Sequence, residues 1–134
     1  MRGKKKYKEA LSRLNDYISD ALRKEENSYS QEYRNSKWYE NPTLREAFGD
    51  TVSRDIRQLI DALSNGDDLY AFAYKMEESA REFGRKWWDE DLNCSRSGCE
   101  WETETYVYLH NLLAEVIGKK LITFDECWGG YGDC

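Results

Sequence analysis

Four cysteines in the last third of the chain have types and spacings that suit a metal ion. Cys94 and Cys99 form a C-x4-C pair, and Cys127 and Cys134 form a C-x6-C pair. Zinc is commonly held by four thiolate or imidazole ligands in a tetrahedron, and two local pairs brought together by a fold supply such a set. Zinc is therefore the one cofactor that the sequence suggests, with these four cysteines as its ligands.

Two other states of the cysteines stay open. The common structural zinc spacing is C-x2-C, which is tighter than either pair here, and Cys134 is the last residue, where chains often lose order. Disulfides are a second possibility, although no apolar stretch typical of a secretion signal follows the basic start. Free thiols are the third. The sequence alone leaves all three open.

His110 is the one histidine of the chain and lies at the edge of an apolar helical stripe. It could act as a general base or replace a cysteine as a ligand. No serine, cysteine or carboxylate stands at a recognised motif spacing from it, and the phosphate-loop, dinucleotide-binding, zinc-protease and serine-hydrolase motifs are absent. We therefore expect a protein that is not an enzyme.

Charge is distributed unevenly around a net value of −6. Residues 1–24 carry eight basic and three acidic side chains, whereas acids and tryptophans gather between residues 88 and 104. An acidic surface attracts a basic protein, and tryptophan often anchors a partner, although acids also simply keep a protein soluble. The predicted partner-binding surface comprises Trp88, Asp89, Glu90, Asp91, Glu100, Trp101, Glu102 and Glu104.

Apolar residues recur every three or four positions, which is typical of amphipathic helices. The stripes run over residues 7–22, 52–63, 69–87 and 108–117, with a loop expected over 89–98 and a loop or weakly held helix over 27–41. Thr43 predicts a helical turn that breaks at Gly49, and Gly66 predicts the end of the next helix. The expected core includes Leu14, Leu59, Leu63, Phe72, Met76, Phe83 and Leu112.

These elements predict an all-α fold, with one domain over residues 1–134. It is a bundle of about four principal helices with an irregular C-terminal segment that contains Gly and Cys. No run approaches the roughly 20 apolar residues of a membrane-spanning helix. We therefore expect no membrane span and a cytoplasmic location.

A small, acidic, helical and aromatic-rich chain without catalytic motifs resembles two groups of inhibitory proteins in its composition. These are viral anti-defence proteins of phages, which block restriction or CRISPR systems, and bacterial immunity proteins that neutralise toxins. The resemblance implies a non-enzymatic inhibitor that binds another protein and blocks its basic or nucleic-acid-binding surface. The alternative is a small zinc-stabilised module that binds nucleic acid through its basic N-terminus, which the acidity of the remaining chain disfavours.

Overall fold

The structure is a computed structural model that describes residues 4–85, 87–91, 93–96 and 99–129, without the side chains of 87–89 and 94–96. The elements in this part of the chain are α1 (Lys4–Asn27), α2 (Gln31–Arg34), α3 (Leu44–Asn65), α4 (Tyr70–Gly84), β1 (Trp87–Asp89), β2 (Cys94–Arg96), α5 (Glu100–Ile117) and α6 (Phe124–Cys127). The predicted all-α class is confirmed, with four substantial helices. None of the described helices combines the length and the apolar character of a membrane span.

The contacts divide the chain into two compact units, Met1–Gly66 and Asp67–Cys134. The first unit contains α1, α2 and α3, and the second contains the remaining elements. The prediction of one domain over residues 1–134 stays a prediction.

The first unit is held by the packing of α1 on α3. Leu14 of α1 and Ile56 and Leu59 of α3 have no solvent exposure, as their place at the centre of each apolar stripe predicts. Each such side chain contributes roughly 1.5–3 kcal/mol when fully buried. The periodic stripe therefore decides which face of each helix turns inward.

Polar and glycine signals set the limits of α3. The Thr43 side chain accepts a hydrogen bond from the backbone N–H of Glu46, and Gly66 closes the helix with a left-handed φ of 72°. Gly49 adopts a non-helical conformation with φ 79° and ψ 172°, so the expected break is present as a kink between two helical segments of α3. Glycine suits both positions because it lacks the Cβ that makes positive φ costly.

The second unit is built on the packing of α4 against α5. Its buried apolar residues include Leu69, Ala73, Met76, Ala80, Tyr106, Leu109, Leu112 and Leu113. Of the expected core residues in the whole chain, Phe72 and Phe83 are only half-buried, whereas the other five are buried. Phe83 lies near the end of α4 and stacks on Tyr106 with ring centres 5.5 Å apart.

The predicted continuation of the α4 stripe to Trp87 is wrong, because α4 ends at Gly84. A Cβ on Gly84 would lie 2.1 Å from the carbonyl oxygen of Cys127, so the backbone at the end of α6 closes directly on this helix end. The chain leaves through Arg85 in an extended conformation and enters a hairpin in which Trp88 pairs with Ser95. Trp88 therefore lies on a strand, and part of the expected loop over 89–98 is the second half of this hairpin.

Two short helices, α2 and α6, occupy segments that lack apolar periodicity. Ser30 caps α2, and Thr123 forms a reciprocal capping box with Glu126 at the start of α6. Such helices depend on their caps and on tertiary contacts, so a search for stripes does not find them. In the segment 27–41, Asn27 ends α1, and residues 28–41 are a loop that contains one helical turn.

Candidate functional site

The first two turns of α5 carry an exposed tryptophan between acidic side chains. Trp101 is 41% exposed, and Glu100 and Glu104 are exposed as well. Successive helical residues are 100° apart and residues four apart are neighbours, so these three side chains share one arc of the helix. We call Glu100, Trp101 and Glu104 the α5 acidic surface. An exposed ring flanked by carboxylates suits a partner with an apolar pocket rimmed by basic groups.

The remaining predicted members of the binding surface lie in the hairpin or on another face of α5. Glu90 and Asp91 are exposed in the turn of the hairpin. Trp88 and Asp89 belong to β1, and their side chains lie outside the described part of the structure. Glu102 is half-buried, and its carboxylate interacts with the thiol of Cys99. The surface as a whole stays a prediction, with the α5 acidic surface as its best described part.

Part of the acidic charge on α5 has a structural role. The N-cap residue Cys99 provides no side-chain cap, and Glu100 and Glu102 lie in the first turn. Acids there complement the positive end of the helix dipole and contribute about 0.3–1 kcal/mol each. Glu104 lies beyond that turn, so the start of the helix does not explain it. Glu104 and Trp101 are therefore the residues whose exposure most favours a binding role.

Two of the four cysteines contact the C-terminal end of α4 through their backbone. The backbone N–H of Cys99 donates to the carbonyl of Phe83 at 2.8 Å. On the neighbouring residue, Gly84 contacts the backbone of Cys127 and accepts a hydrogen bond from the N–H of Gly129 at 2.6 Å. Cys99 and Cys127, which are 28 positions apart in the sequence, are thus held at two successive residues of one helix.

The predicted zinc set is described only in part. Cys134 and the side chain of Cys94 lie outside the described residues, whereas Cys99 and Cys127 carry free thiols. Burial raises the pKa of both described thiols, which favours their protonated form. Within the described part of the chain, no three histidine, cysteine or acidic residues form a group that could hold a metal ion. The four-cysteine zinc site stays a prediction.

His110 lies in the core of the second unit, inside a polar network that sequence analysis did not find. Its side chain is fully buried, with Nδ1 2.9 Å from Oδ1 of Asn111. The Asn111 amide bonds both backbone groups of Ile122, accepting through Oδ1 and donating through Nδ2. Because this orients Oδ1 as an acceptor, His110 carries its proton on Nδ1 and presents Nε2 as an acceptor.

The acceptor on His110 is matched by Lys119, whose Nζ lies 2.8 Å from Nε2. Lys119 also donates to Glu77 at 2.6 Å, and Arg81 holds the second oxygen of the same carboxylate at 3.0 Å. The hydrogen bond from Lys119 lowers the pKa of Glu77, and burial lowers the pKa of His110. His110 is therefore neutral and enclosed, which suits a structural link between α4, α5 and the segment after α5 better than a general base.

The basic start of the chain keeps its charge exposed. Lys4, Lys5, Lys6 and Lys8 are exposed in the first turns of α1, where no acid is present in the first turn. Their positive charge opposes the dipole of the helix start, so they weaken the helix locally. Their exposure leaves them accessible to an anionic partner.

The α5 acidic surface is accessible to a partner, and His110 is enclosed, whereas Lys119, Glu77 and Arg81 around it are partly exposed. Comparisons with protein families, with curated proteins and with solved structures find no match to this chain.

Proposed function

We propose that the protein is a non-enzymatic inhibitor that binds another protein and blocks a basic or nucleic-acid-binding surface on it. The anti-defence and immunity proteins that it resembles in composition act in this manner. The observation that carries the proposal is the α5 acidic surface, where an exposed indole shares one arc of the helix with two exposed carboxylates. Glu90 and Asp91 of the hairpin turn add exposed negative charge to the same unit.

The two kinds of side chain would act at different steps of binding. Exposed carboxylates raise the rate at which a basic partner is encountered, and this effect weakens as salt screens the charges. A large, rigid ring that fills a pocket of the partner slows dissociation. The proposal thus assigns association to Glu100 and Glu104 and retention of the complex to Trp101.

Variants of the full chain test the role of Trp101. The immobilised wild type captures its partner from a lysate of the organism that carries the gene, and the dissociation rate of the purified partner is then measured by surface plasmon resonance. We expect Trp101→Ala to dissociate about 30-fold faster, which corresponds to roughly 2 kcal/mol for an anchor residue. Tyr70→Ala removes another exposed ring of the second unit and should leave the rate unchanged. Dissociation of Trp101→Ala at the wild-type rate would contradict the proposal.

A zinc-stabilised module that binds nucleic acid is the second candidate. The observation that favours it is that Cys99 and Cys127 contact two successive residues at the end of α4, Phe83 and Gly84. In this proposal the four cysteines hold zinc and the exposed lysines of α1 contact phosphates. Purified protein should then contain about one zinc ion per chain, and chelation should loosen the C-terminal segment while leaving most helix intact. Metal-free protein with an unchanged melting temperature after chelation would contradict it.

Both proposals place the protein in the cytoplasm. Counting the free thiols of protein isolated from its own cells under acid quench tests the assignment. A full count of four is expected, and disulfide-bonded protein would contradict it.

A further inference from the structure

An exposed tryptophan also marks the first unit. Trp38 is 74% exposed, more than any other large apolar side chain in the described residues. It follows Lys37 in a turn over residues 36–39, which is closed by a hydrogen bond from the N–H of Tyr39 to the carbonyl of Ser36 at 3.3 Å. The ammonium group of Lys37 lies 5.1 Å from the centre of the Trp38 ring. We call residues 36–39 the Trp38 turn.

Two tyrosines fasten the Trp38 turn to its neighbours, Tyr33 of α2 and Tyr39, which contacts α1. The Tyr33 hydroxyl accepts a hydrogen bond from the N–H of Glu40 at 3.1 Å, just after the turn. The ring of Tyr33 lies 5.7 Å from that of Tyr39, and the Tyr39 hydroxyl donates to the carboxylate of Glu26 in α1. Before Trp38, the N–H and the hydroxyl of Ser36 donate to the carbonyl of Tyr33. The chain on both sides of Trp38 is therefore held by groups outside the turn.

A third tyrosine extends this support to α3. The ring of Tyr29 packs edge-on against Tyr33 at 5.3 Å, and its hydroxyl donates to Glu46 at 2.5 Å. The hydrogen bonds to carboxylates raise the pKa of Tyr29 and of Tyr39, so both hydroxyls stay protonated and keep donating at neutral pH. A turn held in this way loses little conformational entropy when it binds a partner.

We propose that the Trp38 turn is a second partner-binding surface, whose ring takes an arginine side chain of a protein partner in place of Lys37. The inference rests on the proposed function, since both surfaces receive a basic partner. The ring already attracts a cation, as its contact with Lys37 indicates. Guanidinium is planar and less hydrated than ammonium, so it stacks on a ring more favourably. Glu40, two positions from Trp38, is exposed and offers a carboxylate to the same arginine.

A short arginine peptide is the probe that tests this surface. Acetylated and amidated tri-arginine is titrated into the full chain, and the indole N–H signals of Trp38 and Trp101 and the amide signals of residues 36–39 are followed by NMR. We expect the Trp38 signals to shift saturably, whereas the neutral tri-citrulline peptide should leave them unchanged. Trp38→Ala should weaken the affinity reported by the amides of 36–39 about two- to fivefold, the range of an exposed cation–π contact. Tyr70→Ala is the matched control and should bind as the wild type does.

The charge of Lys37 provides a second, independent test. Lys37→Gln removes the cation that occupies the ring, so it should strengthen peptide binding more than Arg57→Gln, which removes an exposed positive charge from α3 of the same unit. Equal effects of these two substitutions, or an unmoved Trp38 signal, would overturn the inference. If Trp101 responds and Trp38 does not, the inference fails while the proposed function is supported. If Trp38 responds and Trp101 does not, the inference is supported while the α5 acidic surface fails.

Discussion

Replacement of Lys119 by methionine removes the donor that satisfies the buried histidine. His110 is fully buried, so its Nε2 would lose its hydrogen bond without access to water. An unsatisfied buried acceptor costs about 1–3 kcal/mol, and the partly exposed ion pair with Glu77 adds little because solvent screens it. We therefore expect Lys119→Met to lower the free energy of unfolding of the second unit by about 1–3 kcal/mol at pH 7.5.

The size of this loss should depend on pH. In the wild type, burial and the Lys119 ammonium lower the pKa of His110 in the folded state below its unfolded value of about 6.5. The stability that comes from keeping His110 neutral is therefore fully present above about pH 6.5. It is lost as the pH falls toward the folded-state pKa, by at most about 1.4 kcal/mol for each pH unit. Without Lys119, the nearby Glu77 carboxylate favours protonated His110. The variant should therefore lose less stability on acidification, and its deficit against the wild type should shrink by pH 5.5.

Urea titrations at pH 5.5, 6.5 and 7.5, followed through the NMR amide signals of α5, measure the stability of this unit directly. Lys120→Met is the matched control, since it removes an exposed lysine at the next position. The control should change the free energy of unfolding by less than about 0.5 kcal/mol, as is usual for surface substitutions. The proposed role of Lys119 would be refuted if Lys119→Met had the same free energy of unfolding as the wild type at pH 7.5. It would also be refuted if the difference between the two proteins grew toward pH 5.5.

Three substitutions test other parts of the fold by urea unfolding. Leu112→Ala should cost about 2–5 kcal/mol because the side chain is fully packed, and a loss below about 1 kcal/mol would contradict the α4–α5 core. Gly84→Ala should cost about 1–3 kcal/mol, since its Cβ forces α6 away from α4, and wild-type stability would show that the two do not close as described. Thr123→Ala should cost about 0.5–2 kcal/mol through loss of the α6 capping box, and an unchanged value would argue against that cap.

The main helices could be predicted because their burial is periodic. Each of the four main helices has an apolar stripe with the helical period, and the centre of each stripe is buried, as at Leu14, Ile56, Met76 and Leu112. The local sequence therefore carries the signal. The end of α4 could not be predicted in this way. The Trp87 position continues the apolar spacing, but the chain stops being helical at Gly84 because the distant backbone of Cys127 closes on it.

The polar network was missed for a related reason. Lys119 follows the helix-ending Gly118 and is indistinguishable in sequence from a solvated lysine, and Glu77 lies on the edge of the α4 stripe. Their meeting at His110 depends on how α4, α5 and the next segment pack together. The exposed acids of α5 could be predicted because a local concentration of acids and tryptophans is visible in the sequence without any knowledge of the tertiary structure. The structure was needed to show where α5 begins and therefore which of these side chains share one arc of the helix.

The measurement that tests the proposed function most directly is the association rate of the captured partner as a function of salt. Wild type is compared with Glu100→Gln/Glu104→Gln and with the control Asp16→Asn/Asp61→Asn, which removes the same formal charge from exposed positions of α1 and α3. We predict that the α5 variant associates about tenfold more slowly at low salt, with a flatter salt dependence, whereas the control follows the wild type. Equal rates and equal salt dependence for all three proteins would contradict binding through the α5 acidic surface.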